Sequence, residues 1–156
     1  MTEDIPACHI RIDKEGNWYY RGLPIIQREI YLHLNKCLRK DPSGKYVLLM
    51  DGEKCYLEVE DTPYVIQGVS LDLDHQPAPA LFVRLNDETE EGLSVNTVRV
   101  GKDNVLYCKV KGAHYDARFL RASHYQLAEF LRQDGEKYYL LVGDKKFYLK
   151  RLEGFT

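Results

Sequence analysis

The chain has 156 residues, a net charge of −2, 29% charged and 44% hydrophobic residues, the balance of one globular domain or of two small ones sharing a core. That charge argues against a protein that lives on nucleic acid, and no apolar run approaches the roughly 18 residues of a membrane helix. The acidic start Met1-Thr2-Glu3-Asp4-Ile5-Pro6 lacks the basic and apolar regions of a secretory signal, so the expectation is a cytoplasmic protein.

His9-Ile10-Arg11-Ile12-Asp13 alternates polar and apolar residues and predicts a strand; Lys14-Glu15-Gly16-Asn17 predicts a turn, and Trp18-Tyr19-Tyr20 a second strand of the same hairpin. Gly22-Leu23-Pro24 ends that strand. Ile26, Ile30, Leu34 and Leu38 at four-residue spacing predict the buried face of a helix running to about Lys40, stopped by Asp41-Pro42-Ser43-Gly44. Strands follow near 45–50 and 54–60 around the hairpin turn Asp51-Gly52. Further strands are expected from Tyr64 to Asp74, Leu81 to Leu85, Val95 to Val100, Val105 to Val110 and Tyr115 to Phe119, with an acidic loop from Asn86 to Gly92. A second helix is expected from about Arg121 to Arg132, with Ser123 and Gln126 as a capping box. A last hairpin turns at Gly143-Asp144.

That last hairpin repeats an earlier one. Lys45, Tyr46, Leu48, Leu49, Lys54, Tyr56 and Leu57 return as Lys137, Tyr138, Leu140, Leu141, Lys146, Tyr148 and Leu149. A repeat of this length implies a duplicated supersecondary unit. The fold class is therefore α+β: duplicated β-β-α-β-β units with additional, mostly antiparallel strands between them. A seam between duplicated halves is a natural ligand cleft.

Chemistry-bearing patterns are sparse. No nucleophile elbow, phosphate-binding loop, dinucleotide fingerprint or metalloprotease helix occurs, so no catalytic residue, cofactor or metal ligand is assigned. The five histidines are scattered, and Cys8, Cys37, Cys55 and Cys108 fit no zinc module, reading as reduced thiols. Asp87-Glu88-Thr89-Glu90-Glu91 reads as a solvated acidic loop. Asp61, beside Thr62-Pro63 at a strand end, suits either a turn cap or a polar site residue. The twelve tyrosines and Trp18 mostly line strands, where packing explains them. Trp18, Tyr20 or Tyr125 can also stack a purine while Arg28, Arg84, Arg118 or Arg121 pairs with phosphate.

Ile10-Arg11-Ile12-Asp13, Gly16-Asn17-Trp18-Tyr19-Tyr20 and Gly22-Leu23-Pro24-Ile25, then Val59-Glu60-Asp61-Thr62-Pro63-Tyr64, Phe82-Val83-Arg84-Leu85-Asn86 and Tyr107 through Lys111-Gly112 together resemble the bacterial DUF1285 family in order and spacing. Cys55 stands where that family commonly has an aromatic residue, and Lys111 where arginine is common; a lysine keeps the charge but loses the planar fork. The resemblance implies two related α+β domains, residues 1–62 and residues 63–156, the second superficially like a pleckstrin-homology fold. It also implies a nucleotide-like ligand between the domains and a role in signal transduction. On this reading Trp18 and Tyr20 form a stacking wall, Arg28 and Arg84 meet an anion, Asp61 is a polar anchor, and Arg121 and Tyr125 contribute from the second half. The alternative is a protein-interaction module without a small ligand; an enzyme acting on nucleotides or phosphoesters is the third reading.

Overall fold

The computed structural model describes residues 5–151, and the chain divides between Pro63 and Tyr64 into two units. In the first unit β1 (Ala7–Ile12), β2 (Trp18–Tyr20) and β3 (Leu23–Pro24) precede α1 (Arg28–Cys37), which leads into β4 (Leu38–Lys40), β5 (Tyr46–Met50) and β6 (Glu53–Val59). They form one six-stranded sheet in the order β3-β2-β1-β6-β5-β4. Only β1 and β6 run parallel; the other neighbours are antiparallel. Ile10, Ile12, Trp18, Leu34, Leu38, Leu48 and Leu57 fill its core.

The local chemistry explains where the periodicity misleads. The helix stops at Cys37, three residues before the expected end, because Leu38 turns out to pair with Leu48 of β5. Arg39 secures that exit, its guanidinium donating to the carbonyls of Lys36 and Leu38, both at 2.8 Å. Of the apolar stripe expected inside, only Leu34 and Leu38 are buried; Ile26 lies ahead of the helix and is 83% exposed, and Ile30 is 44% exposed. The Gly22-Leu23-Pro24 stop is a third strand, reached through a two-residue turn in which Arg21 and Gly22 both take positive φ, 49° and 83°.

The second unit begins with β7 (Tyr64–Asp72), β8 (Ala80–Leu85) and β9 (Glu90–Gly92). A single 3₁₀ turn at Val95–Thr97 stands where a strand start is expected, ahead of β10 (Arg99–Val100). Then come β11 (Leu106–Val110), β12 (Tyr115–Phe119), α2 (Arg121–Ala128), β13 (Leu131–Asp134), β14 (Lys137–Val142), β15 (Lys145–Tyr148) and β16 (Lys150–Arg151). One sheet has the order β16-β10-β11-β12-β7-β8-β9 and the other β13-β14-β15. Ser123 and Gln126 are not a capping box. Both lie inside α2, where Ser123 Oγ donates to the Ile66 carbonyl (2.6 Å) and Gln126 Oε1 accepts from the Val69 N–H (2.7 Å), tying the helix to β7.

The duplication is wider than the hairpin that reveals it. Val47↔Tyr56 and Leu48↔Cys55 in the first unit match Tyr139↔Tyr148 and Leu140↔Phe147 in the second. The parallel pairs Arg11↔Glu58 and Ile12↔Val59 match Arg99↔Lys150 and Val100↔Arg151. The hairpin pairs Arg11↔Tyr19 and Ile12↔Trp18 match Arg99↔Tyr107 and Val100↔Leu106. Even side-chain contacts recur: Arg11 lies over Tyr19 at 4.4 Å and Arg99 over Tyr107 at 5.6 Å. Arg132 donates to the carbonyls of Glu129 and Leu131 as Arg39 does at its own helix exit. The pairing also corrects the strand assignment: β10 and β11 are the counterparts of β1 and β2, and β12 is the counterpart of β3. What β7, β8 and β9 add is a three-stranded extension on the free edge of β12.

Cys8 and Cys55 are disulfide-bonded, with Cα atoms 5.0 Å apart, whereas Cys37 and Cys108 are free and buried. The expectation of four reduced thiols is therefore corrected. The parallel pairing of β1 with β6 brings the two cysteines together across 47 residues of chain, a pairing that local sequence signals do not encode. Disulfides persist in oxidising surroundings, so the thiol count no longer supports a cytoplasmic assignment. Among the described residues, no helix is long and apolar enough to cross a membrane.

Candidate functional site

Strand β1 does not pair evenly with β6. Ala7 faces Tyr56 and Arg11 faces Glu58, so β1 carries two extra residues between these points. The bulge forces His9 to a φ of 62°, a left-handed conformation uncommon for a residue with a side chain. The His9 carbonyl accepts from the Arg21 N–H at 2.8 Å, which docks the tight Arg21-Gly22 turn against the bulge. Two left-handed residues beside one another at a sheet irregularity are the kind of strain that clusters at functional sites. The Cys8–Cys55 bond fixes β1 to β6 next to them.

Around this point lies an open groove of about 500 Å³, walled by His9, Arg11, Tyr19, Arg21, Tyr56 and Glu58 and floored partly by Gly22, a volume within the usual range for small-ligand sites. Tyr19 is held in place. Its hydroxyl donates to Asp13 at 3.0 Å and the Arg11 guanidinium covers its ring. Burial alone would raise the Asp13 carboxyl, but hydrogen bonds from Asn17, Tyr19 and Glu15 hold it below the ordinary carboxylate range. The same Asp13 bond pushes the Tyr19 phenol up, so Tyr19 stays neutral near neutral pH. Arg11 also faces Glu60 at 3.5 Å, with both side chains more than two-fifths exposed, a pair that contributes little. Arg21 also lines the groove, and its Nε donates to the Tyr20 hydroxyl at 3.0 Å.

The expected site residues divide between the units. Trp18 is 3% exposed, a core residue with its indole N–H unbonded, and no face of its ring is open for stacking. Tyr20 is 47% exposed and lines a second, apolar groove of about 470 Å³ with Leu23, Ile26 and Ile30. Arg28 opens α1 and Asp61 follows β6, both exposed. In the second unit Arg84 is exposed on β8 opposite Glu90, and Arg121 lies 5.9 Å from the exposed Tyr125 ring. Sequence reasoning missed His9, Arg11, Arg21 and Tyr56 as a group because the β1–β6 pairing that assembles them is non-local. The turn residue pair Arg21-Gly22 was the one local hint.

In the acidic segment after β8 two carboxylates are engaged within the protein. Asp87 accepts from Lys111 Nζ at 2.7 Å and from the Thr89 hydroxyl at 2.5 Å. Glu91 accepts from the Lys111 N–H at 3.1 Å. Among the described residues no group of three or more His, Cys, Asp or Glu side chains is placed to hold a metal ion.

Residues 2–62, which span this groove, match the family described as Domain of unknown function (DUF1285), N-terminal domain. Over these residues the chain is similar to a DUF1285 N-terminal domain. The fold as a whole resembles the crystal structure of a DUF1285 family protein from Silicibacter pomeroyi DSS-3, with a TM-score of 0.77 at 22% identity over 96% of this chain and 85% of that one. It also resembles a DUF1285 family protein from Shewanella baltica OS155, with a TM-score of 0.62 at 20% identity over 77% of this chain and 90% of that one. No curated protein matches. In DUF1285 terms, the groove at the β1 bulge belongs wholly to the N-terminal domain.

Proposed function

We propose that this protein is a non-catalytic binding protein that takes a nucleotide-like ligand, an anion with an aromatic ring, in the groove of its DUF1285 N-terminal domain, and that it serves signalling rather than turnover. The observation that carries the reading is the combination in one groove of two guanidinium side chains, Arg11 and Arg21, with the tyrosines Tyr19 and Tyr56. Nothing in the groove pairs a nucleophile with a base, so no bond-making step is assigned. The test is thermal unfolding against nucleotides and cyclic nucleotides. A ligand at about 100 times its Kd adds roughly 2.7 kcal/mol, a rise of roughly 5–10 °C for a chain of this size. Arg21→Ala should weaken the ligand by about 10-fold or more, the loss of a charged hydrogen bond. No shift across the panel, or a shift that Arg21→Ala leaves intact, would overturn the reading.

One observation favours a second reading, a protein-interaction surface. In the second unit β7 lies along β12 and against α2; the matching edge in the first unit, β3 beside α1, carries no strand among the described residues and exposes Leu23, Ile26 and Ile30. Strand addition at such an edge is a recurring recognition mode. Pro24 removes one donor from that edge and so guards it against indiscriminate pairing. A partner that binds here should lose its affinity on Ile26→Asp while nucleotide binding is unchanged. A pleckstrin-homology-like second unit would suit this reading too, as a docking platform.

A further inference from the structure

The duplicated unit carries its own occupant at the position that matches the groove. In the second unit Arg99 and Lys109 together grip one carboxylate, Asp116, at 2.6 and 2.9 Å. Burial would raise that carboxyl, but the two cations and their hydrogen bonds hold it ionised, below the ordinary range. The register of the hairpins places the same pair in the first unit. Arg99↔Tyr107 matches Arg11↔Tyr19, so Arg99 stands at the Arg11 position and Lys109 at the Arg21 position. Tyr20↔Leu23 matches Cys108↔Ala117, so Asp116, one residue before Ala117, stands at the Gly22 position.

The first unit therefore keeps both cations and lacks the carboxylate. At Gly22 there is no side chain, and a Cβ built there meets nothing within 4 Å. The space that Asp116 fills in one unit is open groove in the other, lined by Arg11, Arg21 and Gly22. Glu58 and Glu60 temper the charge but do not replace the missing group: Glu58 faces Arg11 across the β1–β6 pair and Glu60 approaches Arg11 from the exposed side, and neither is bonded to Arg21. We infer that the groove is an oxyanion site in which a carboxylate or phosphate group of the ligand sits over Gly22, between Arg11 and Arg21, in the place that the Asp116 carboxylate holds in the second unit. This deepens the proposed function and rests on it for the groove, but the anion is assigned by the internal comparison alone.

The probes are inorganic phosphate and pyrophosphate, titrated into the full chain by calorimetry beside a nucleotide and its uncharged nucleoside. Phosphate and nucleotide should bind and the nucleoside should bind at least about 10-fold more weakly. Gly22→Asp, which supplies the carboxylate internally, should abolish phosphate binding. Because Gly22 has a φ of +83°, Arg21→Gln serves as the second variant and should weaken phosphate by about 10-fold or more with unfolding unchanged. Phosphate binding that both variants leave intact, or no phosphate binding, overturns the oxyanion site. Phosphate binding lost in Arg21→Gln with no added affinity from any nucleotide base upholds the site while removing the nucleotide reading. Equal binding of nucleoside and nucleotide overturns the oxyanion site and leaves the groove recognising the ring alone.

Discussion

Lys111 shows how one side chain can organise a turn. Its ammonium meets Asp87 and the Thr89 hydroxyl, and lies 5.4 Å from the centre of the Tyr64 ring, while its backbone N–H reaches Glu91. Asp87 is only 11% exposed. Burial pushes its carboxyl up, but the bonds from Lys111 and Thr89 outweigh that and hold it below the ordinary value. A depressed carboxyl stabilises the fold above its unfolded-state pKa of about 3.9, and that contribution is lost as pH falls through the folded value. Lys111→Met should thus cost about 1–3 kcal/mol at neutral pH, the penalty of leaving a mostly buried carboxylate without its cation. Urea denaturation at pH 7 and pH 3 checks this: the difference between variant and parent should shrink at the lower pH. Trp18 is the chain's one tryptophan; at 3% exposure its emission should resist iodide quenching until the protein unfolds.

At the scale of elements, local signals located most of the structure and non-local pairing decided the rest. Asp51-Gly52 marked its hairpin because both residues take positive φ, 51° and 79°, in a two-residue turn. The helix face at Ile26 and Ile30 misled because a four-residue apolar spacing does not say which residues find a partner. The β1–β6 contact left no local trace, and with it went the disulfide and the grouping of His9, Arg11, Arg21 and Tyr56. Denatured but unreduced protein should accordingly titrate two free thiols, Cys37 and Cys108; four would remove the Cys8–Cys55 bond. Cys55→Ser should cost about 2–4 kcal/mol, the usual effect of opening a loop of this length. Buried Cys108, its thiol pushed up to about 12 by desolvation, should stay unreactive in the folded protein.

At the scale of the molecule, the first unit has a complete sheet, a helix and its own covalent staple. A fragment of residues 1–63 should fold cooperatively, which circular dichroism through a urea titration would show; a broad, non-cooperative transition would mean that it depends on the rest of the chain. The two copies differ at one matching point: Arg99 and Lys109 meet Asp116, whereas Arg11 and Arg21 stand beside Gly22, which has no side chain.

The strand that closes each copy changes partner midway. In β6, Glu53 to Tyr56 pair with β5 while Tyr56, Glu58 and Val59 pair with β1. Its counterpart does the same but is interrupted at Leu149, pairing with β14 before that residue and with β10 after it. The strand pairing of each unit thus passes from one half to the other along this one stretch of backbone. In the first unit Cys8–Cys55 clamps that crossing; at the Cys55 position the second has Phe147. Such a crossing behaves as a hinge line unless it is locked. Amides at the β10–β16 junction should therefore exchange with solvent well before those at β1–β6, and a reductant should erase the difference from one side only.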